Sequence, residues 1–234
     1  MKKSIFVAGL LLLTLFSTAF ISGQSSATET RKLTGFTKVS FGVPGNLYIS
    51  LGSEFKVVLE GDKDFLADIE TEISGDRLVI KKDNWTQFNN KKVIVNITMP
   101  AVEGLSVSGS GQAEITDAVK AVDFDMGVSG SGKLIINEII AGNLECGISG
   151  SGDVIINGTG SIDDAEISIS GSGSYSGEEL KLKTAEIGIS GSGSCYCNVT
   201  ESLEAHVSGS GNVTYSGNPK IDARVSGSGR VRSK

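Results

Sequence analysis

The sequence predicts an all-β protein that folds as a parallel β-solenoid, and two features of the chain support this prediction. The tetrapeptide SGSG begins at seven positions: Ser108, Ser129, Ser149, Ser170, Ser190, Ser208 and Ser226. The intervals between them are 21, 20, 21, 20, 18 and 18 residues. Apolar residues alternate with other residues before and after each copy, which is the pattern of strands with one buried face. A near-constant period kept through so many copies indicates a stack of structural repeats.

Each repeat is predicted to contain a strand, an SGSG corner and a second strand, followed by a short return. The residue before SGSG is always Val or Ile, and the second residue after it is apolar in every copy. Glycine permits the positive-φ or bent conformations that two closely linked strands need. Parallel crossovers favour a right-handed coil, so we expect that hand. The alternative is an antiparallel sandwich in which SGSG forms hairpin turns, but such turns would not need to be identical.

Residues 33–100 lack the SGSG corner but have the composition and alternation of strands. The pattern predicts strands at 37–43, 46–51, 55–59, 77–80 and 93–99, and one short helix over 62–72. These elements are expected to form irregular N-terminal coils that cap one end of the stack. Because no linker rich in Pro and Ser separates them from the repeats of 101–234, we predict a single solenoid domain over 31–234.

Residues 1–23 have the layout of a secretory signal peptide. Lys2 and Lys3 precede an uncharged, apolar run over 5–21, and small residues suited to cleavage occur between residues 17 and 27. An uncleaved N-terminal anchor is the alternative interpretation. The leader predicts an exported protein of the periplasm, the cell surface or the extracellular space, with no membrane insertion after cleavage.

The charge of the chain disfavours one class of partner. Asp and Glu number 27 against 21 Lys and Arg, and the formal net charge is −6. Such a surface repels the phosphate backbone, so nucleic acid is not an expected partner.

The residues that usually carry catalysis or hold metals are few. The single histidine, His206, has the parity of an outward-facing strand position, with no second His or Cys beside it in register. Cys146, Cys195 and Cys197 fall on core-facing positions and are interpreted as buried thiols, although Cys195 and Cys197 could form a strained pair. No catalytic, phosphate-binding or metal-binding motif occurs, so we expect a non-enzyme without a cofactor or metal.

One outward-facing column of the predicted sheet is acidic. The residue four positions before SGSG is a carboxylate in six repeats: Asp125, Glu145, Glu166, Glu186, Glu204 and Asp222. Stacking would place neighbours about 5 Å apart. The column two positions before SGSG is small, with Ser or Gly in the first five repeats and then His206 and Arg224. We hypothesise that this face binds a partner or a cation; the alternative is a solvated face whose charges limit aggregation.

The order of the pieces resembles one protein family over nearly all of the chain from Arg31 onward. RKLTGFTKVSFGVPGNLYISLG is followed by VIVNITMPAVEGLSVSGSG and then by repeated [VI]SGSG. This order is similar to that of the autotransporter-adhesin family with a head GIN domain, known mostly from Bacteroidetes and related Gram-negative bacteria. The resemblance implies an exported β-helical domain with an adhesin-like role, and it supplies no catalytic motif. The chain ends in VSGSGRVRSK, leaving no room for a membrane barrel, so we do not expect it to translocate itself.

The sequence therefore predicts a cell-envelope binding or adhesion module that presents an elongated face to an unidentified glycan or protein. A periplasmic structural or stress-related scaffold is the second interpretation, and a homo-oligomer is compatible with both. A polysaccharide-active β-helix enzyme is the third, but the predicted returns are too short to build a deep cleft.

Overall fold

The computed structural model of the protein describes residues 26–82 and 91–234, so the predicted signal peptide at 1–23 lies outside the described residues. Most of the described chain is β-strand. The strands are β1 (Ser26–Arg31), β2 (Lys38–Phe41), β3 (Gly45–Leu51), β4 (Lys56–Asp62), β5 (Ile69–Ser74), β6 (Arg77–Lys82), β7 (Val93–Met99), β8 (Gly104–Gly109), β9 (Gln112–Gly130), β10 (Lys133–Gly150), β11 (Asp153–Ile156), β12 (Gly160–Gly171), β13 (Ser174–Gly191), β14 (Ser194–Gly209), β15 (Asn212–Ser216), β16 (Lys220–Gly227) and β17 (Arg230–Ser233). The helix α1 spans Lys63–Ala67.

Successive coils are joined by parallel pairing, which confirms the predicted β-solenoid. The segments that lead into SGSG pair in the order β8, β9, β10, β12, β13, β14 and β16. The segments that follow SGSG pair in the order β3, β9, β10, β11, β13, β14, β15 and β17. The long strands β9, β10, β13 and β14 run through both sets, so the two sets are sides of one continuous coil.

Both glycines of the SGSG corner are required by the stacking. The first has a positive φ in every copy, from 85° at Gly109 to 123° at Gly191. The second leaves no room for a side chain, because a Cβ on Gly132 would lie 2.6 Å from Val107 Cγ1 and 2.8 Å from the Gly111 carbonyl oxygen. Adjacent corners are also hydrogen bonded, as where the Ser151 N–H donates to the Gly130 carbonyl at 2.8 Å. The corner is therefore a stacked element, as the sequence predicts.

The interior of the coils is one continuous apolar core. The columns one and three residues before SGSG, and the column five residues before it from the second copy onward, point inward and are buried until the last coil. All three cysteines are free and buried in this core, as predicted. Tyr175 is also completely buried, and Gly177 makes room for its ring, since a Cβ there would lie 2.8 Å from the Tyr175 hydroxyl oxygen. This hydroxyl has no hydrogen-bond partner among the described residues.

The N-terminal region forms irregular coils, as predicted, and antiparallel strands close this end of the stack. Strands β2 and β3 pair in parallel with β6, β7, β8 and β9, whereas β1 pairs antiparallel with β4, and β5 pairs antiparallel with β6. Helix α1 lies between β4 and β5 and buries Phe65 and Leu66. The described residues contain no helix with the length and apolarity of a membrane span.

The predicted helix over 62–72 is only partly correct. Asp62 is the N-cap of α1, accepting hydrogen bonds from the backbone N–H groups of Asp64 and Phe65, and the helix ends at Ala67. From Ile69 the chain is strand β5. The reason is that β-branched residues alternate with Glu over 69–73, and the free edge of β6 supplies a pairing partner for them.

Candidate functional site

The six predicted carboxylates form an acidic ladder along the side of the solenoid that leads into SGSG. The sheet register places each one directly beside the next, in the order Asp125, Glu145, Glu166, Glu186, Glu204 and Asp222. Asp125 is half-buried, and the other five are exposed. Strand spacing sets neighbouring backbones about 4.8 Å apart, so the ladder presents one negative charge per coil.

A lysine from the irregular coils neutralises the first carboxylate of the ladder. Lys38 Nζ lies 2.5 Å from Asp125 Oδ2 and 3.8 Å from Asp76 Oδ2. Its side chain crosses Gly104, where a Cβ would lie 3.2 Å from Lys38 Cγ. The hydrogen bond to Asp125 raises the pKa of Lys38. Lys38 was not predicted from the sequence as part of this site; the only signal was that the first repeat has Gly104 where the later repeats have a carboxylate.

The last two carboxylates are paired with side chains two residues further along the same strand. His206 Nε2 lies 2.9 Å from Glu204 Oε1, and Arg224 Nη2 lies 3.5 Å from Asp222 Oδ2. The middle three, Glu145, Glu166 and Glu186, form no ion pair with any described residue. Lys38 and Arg224 therefore compensate the two terminal carboxylates, whereas Glu145, Glu166 and Glu186 in the centre have no cationic partner among the described residues.

A groove runs beside the ladder along the column two residues before SGSG, which we call the small-residue groove. Its floor is formed by Ser106, Gly127, Gly147, Ser168, Gly188, His206 and Arg224. The groove has a volume of about 860 Å³. A Cβ added at Gly147 would meet no atom within 4 Å, so the backbone here is open to contact from outside. Arg77 lies at one end of the groove, where its Nη1 is 3.5 Å from Ser106 Oγ, and Arg224 lies at the other end.

A second groove, of about 560 Å³, lies on the opposite flank of the ladder. It is lined by the column six residues before SGSG, which the sequence analysis did not single out. Asn143 Nδ2 donates to Asp123 Oδ1 at 2.6 Å, and the Thr184 hydroxyl donates to Asp164 Oδ1. These two aspartates add further negative charge to the face, while the amide and the hydroxyl satisfy part of their hydrogen-bonding capacity.

The arrangement is suited to recognition along a surface. Within residues 26–82 and 91–234, no three His, Cys, Asp or Glu side chains are arranged to hold a metal ion. His206 is half-exposed and faces outward beside Glu204, as predicted. The face offers carboxylate acceptors at regular intervals beside accessible backbone, which suits an extended partner that repeats along its own length.

Comparison with known proteins identifies relatives of this architecture. The sequence profile of the family described as "Putative auto-transporter adhesin, head GIN domain" matches residues 35–219. A crystal structure of a "putative adhesin" from Bacteroides fragilis NCTC 9343 is similar, with a TM-score of 0.84 and 26% identity over 90% of this chain and 98% of that chain. No curated protein matches this chain.

Two Parabacteroides structures share the fold at lower identity. A "putative adhesin" from Parabacteroides merdae ATCC 43184 has a TM-score of 0.72 and 21% identity, covering 91% of this chain and 97% of that chain. A "putative lipid binding protein" from Parabacteroides distasonis ATCC 8503 has a TM-score of 0.73 and 21% identity, covering 91% of this chain and 98% of that chain. At this identity the likeness shows the fold alone.

Proposed function

We propose, from the premise that this chain belongs to the family described as "Putative auto-transporter adhesin, head GIN domain", that it is an exported, non-enzymatic adhesin-like module. It binds its partner along the face formed by the acidic ladder and the small-residue groove. The observation that carries the proposal is a run of three adjacent carboxylates that form no ion pair with any described residue and are evenly spaced beside an open groove.

The geometry of this face favours an extended partner over a compact ligand. A carboxylate accepts hydrogen bonds from hydroxyl and ammonium groups, and charge-assisted hydrogen bonds are stronger than neutral ones. Glycine in a strand often marks a close approach of another chain or ligand, and three of the groove positions are glycine. A glycan lying along the groove would donate its hydroxyls to Glu145, Glu166 and Glu186. An extended protein segment with basic side chains is the other partner class that fits.

Export is the part of the proposal that can be tested on cells. We expect added protease or antibody to reach the protein on intact producing cells, because an adhesin must be displayed at the surface. Lysed cells give the total amount, and a periplasmic protein of the same cells serves as the protected control. If the chain is protected until the outer membrane is opened, the adhesin function is rejected, and the periplasmic scaffold becomes the better explanation.

Binding should depend on the centre of the ladder and on the groove beside it. We expect the triple variant Glu145→Gln/Glu166→Gln/Glu186→Gln to weaken binding about tenfold or more, since each lost charge-assisted contact contributes on the order of 1.5 kcal/mol or more. Gly147→Leu/Gly188→Leu should have a similar effect by filling the groove. The measurement is binding to glycan and extracellular-matrix arrays, followed by titration of each hit.

A matched control removes three carboxylates from elsewhere on the chain. Glu138, Glu179 and Glu201 are exposed and lie outside the strand segments that lead into SGSG. Changing all three to Gln alters the net charge as much as the ladder variant does, and it should leave binding unchanged. If both triple variants lost the same amount of binding affinity, the change in net charge alone would explain the loss. Binding that survives the ladder and groove variants, or a wild-type protein that binds nothing on either array, would contradict the proposal.

A further inference from the structure

The two ends of the solenoid differ in how they are closed. The sheet that contains the acidic ladder ends at β5 on the N-terminal side and at β16 on the other. The second sheet ends at β1 and at β17. At the N-terminal end, antiparallel strands and α1 cover the core. At the other end, β16 and β17 each pair on one side only within the part of the chain that the structure describes, so both present free backbone N–H and C=O groups there.

The coil formed by β16 and β17, here the basic end, also exposes residues that continue the core. All eight residues of β16 are exposed. Ile221 and Val225 are 44% and 43% exposed, whereas Leu203 and Val207, at the same positions one coil earlier, are 0% and 2% exposed. The apolar columns of the core therefore end at a surface that also has unpaired strand edges. Exposed apolar residues beside unpaired edges are typical of interaction sites.

The charges of the two ends are opposite. Residues 220–234 contain five basic side chains and one acidic one, and Lys220, Arg230 and Arg232 have no ion pair with any described residue. Residues 60–82, which include α1, β5 and β6, contain seven acidic side chains and four basic ones. Lys81 pairs with Glu70 and Glu72, and Lys82 pairs with Asp68, so the segment keeps an excess of negative charge but part of it is compensated. We call this segment the acidic cap. Its strand β5 also exposes Ile73, which is 37% exposed.

We propose that the basic end of one copy of this chain docks on the acidic cap of a second copy. Charge decides among the possible arrangements. Pairing two basic ends or two acidic caps across a two-fold axis would bring like charges together, whereas head-to-tail contact brings opposite charges together. The edges that meet are also the free ends of the same sheet, β16 of one copy and β5 of the next. A head-to-tail contact is heterologous and can repeat, so the expected product is an open linear assembly.

The test measures association of the purified full-length chain by sedimentation velocity over a range of concentrations. We expect mass to grow with concentration in about 0.1 M salt and to fall in about 1 M salt, where the Debye length shortens from about 10 Å to about 3 Å. Two charge-reversal variants test the contribution of each end of the solenoid separately. Lys220→Glu/Arg230→Glu reverses the basic end, and Glu70→Lys/Glu72→Lys reverses the acidic cap. All four side chains are exposed, so circular dichroism should show both variants folded.

Each variant alone should remain monomeric, and an equimolar mixture of the two should associate again, because every mixed contact then joins opposite charges. This rescue separates docking from a general effect of substitution. The proposal is overturned if the wild-type chain stays monomeric at all concentrations, or if neither variant reduces association. It is also overturned if only the basic-end variant reduces association, which would assign the acidic partner surface to another part of the chain such as the acidic ladder, or if the mixture fails to recover.

Discussion

Replacing Gly150 by alanine is expected to destabilise the protein by about 3 kcal/mol or more. Gly150 is the first glycine of the third SGSG corner and has a φ of 112°, which side chains rarely tolerate. A Cβ at this position would lie 2.5 Å from the Gly130 carbonyl oxygen. That carbonyl accepts the hydrogen bond from Ser151 N–H, so relieving the clash must also disturb the contact between coils. Urea unfolding followed by circular dichroism measures the change.

The matched control is Gly147→Ala, three residues earlier in the same strand. Gly147 does not have a positive φ, and an added Cβ would meet no atom within 4 Å. Alanine restricts the unfolded chain more than glycine does, so this variant should be neutral or more stable by up to about 1 kcal/mol. The explanation of the corner would be wrong if both variants lost the same stability, because glycine content alone would then account for the effect.

The alternation of apolar and polar residues predicted those strands whose position depends only on neighbouring residues in the sequence. Strand β7 matches the predicted 93–99, since alternation of buried and exposed residues is complete there. The stacking of the ladder was also predictable, because a constant repeat fixes which residues become neighbours. In contrast, β5 was assigned to a helix, and β1 was not predicted as a strand. Both pair antiparallel with strands that are not repeats, so no period in the sequence shows where their partners lie.

The candidate site shows the same division. All six ladder positions follow from the strand alternation and the repeat spacing, but the ion pairs that neutralise some of these carboxylates do not. Lys38 and Asp125 are 87 residues apart, and they meet only because β8, which includes Gly104, separates their strands. The pairing of Glu204 with His206 required rotamers that a sequence does not specify. Which part of the ladder carries free charge, and therefore which part to mutate, could be learned only from the structure.

Stability is expected to fall steeply above about pH 9, because ionisable groups are sealed in the core. Burial raises the pKa of the Cys146 thiol, and hydrogen bonding to Cys197 together with burial raises that of Cys195. Burial and the neighbouring thiols raise the pKa of Tyr175. These groups stay neutral in the folded protein but ionise in the unfolded chain above about pH 8.5 for thiols and about pH 10 for the phenol. Their stabilising contribution is therefore complete below those values and is lost as the pH rises towards the folded-state pKa.

The size of the loss follows from linkage. Each group that ionises only in the unfolded chain lowers the free energy of unfolding by about 1.4 kcal/mol per pH unit. Two thiols and one phenol acting together reach the order of a domain's whole stability, about 5–15 kcal/mol, near pH 11. Urea unfolding under reducing conditions from pH 7 to pH 11 measures the slope. Tyr175→Phe should flatten it only above about pH 10, and Cys146→Ala from about pH 8.5. A wild-type curve that stays level to pH 11 would show that these side chains are not sealed from water.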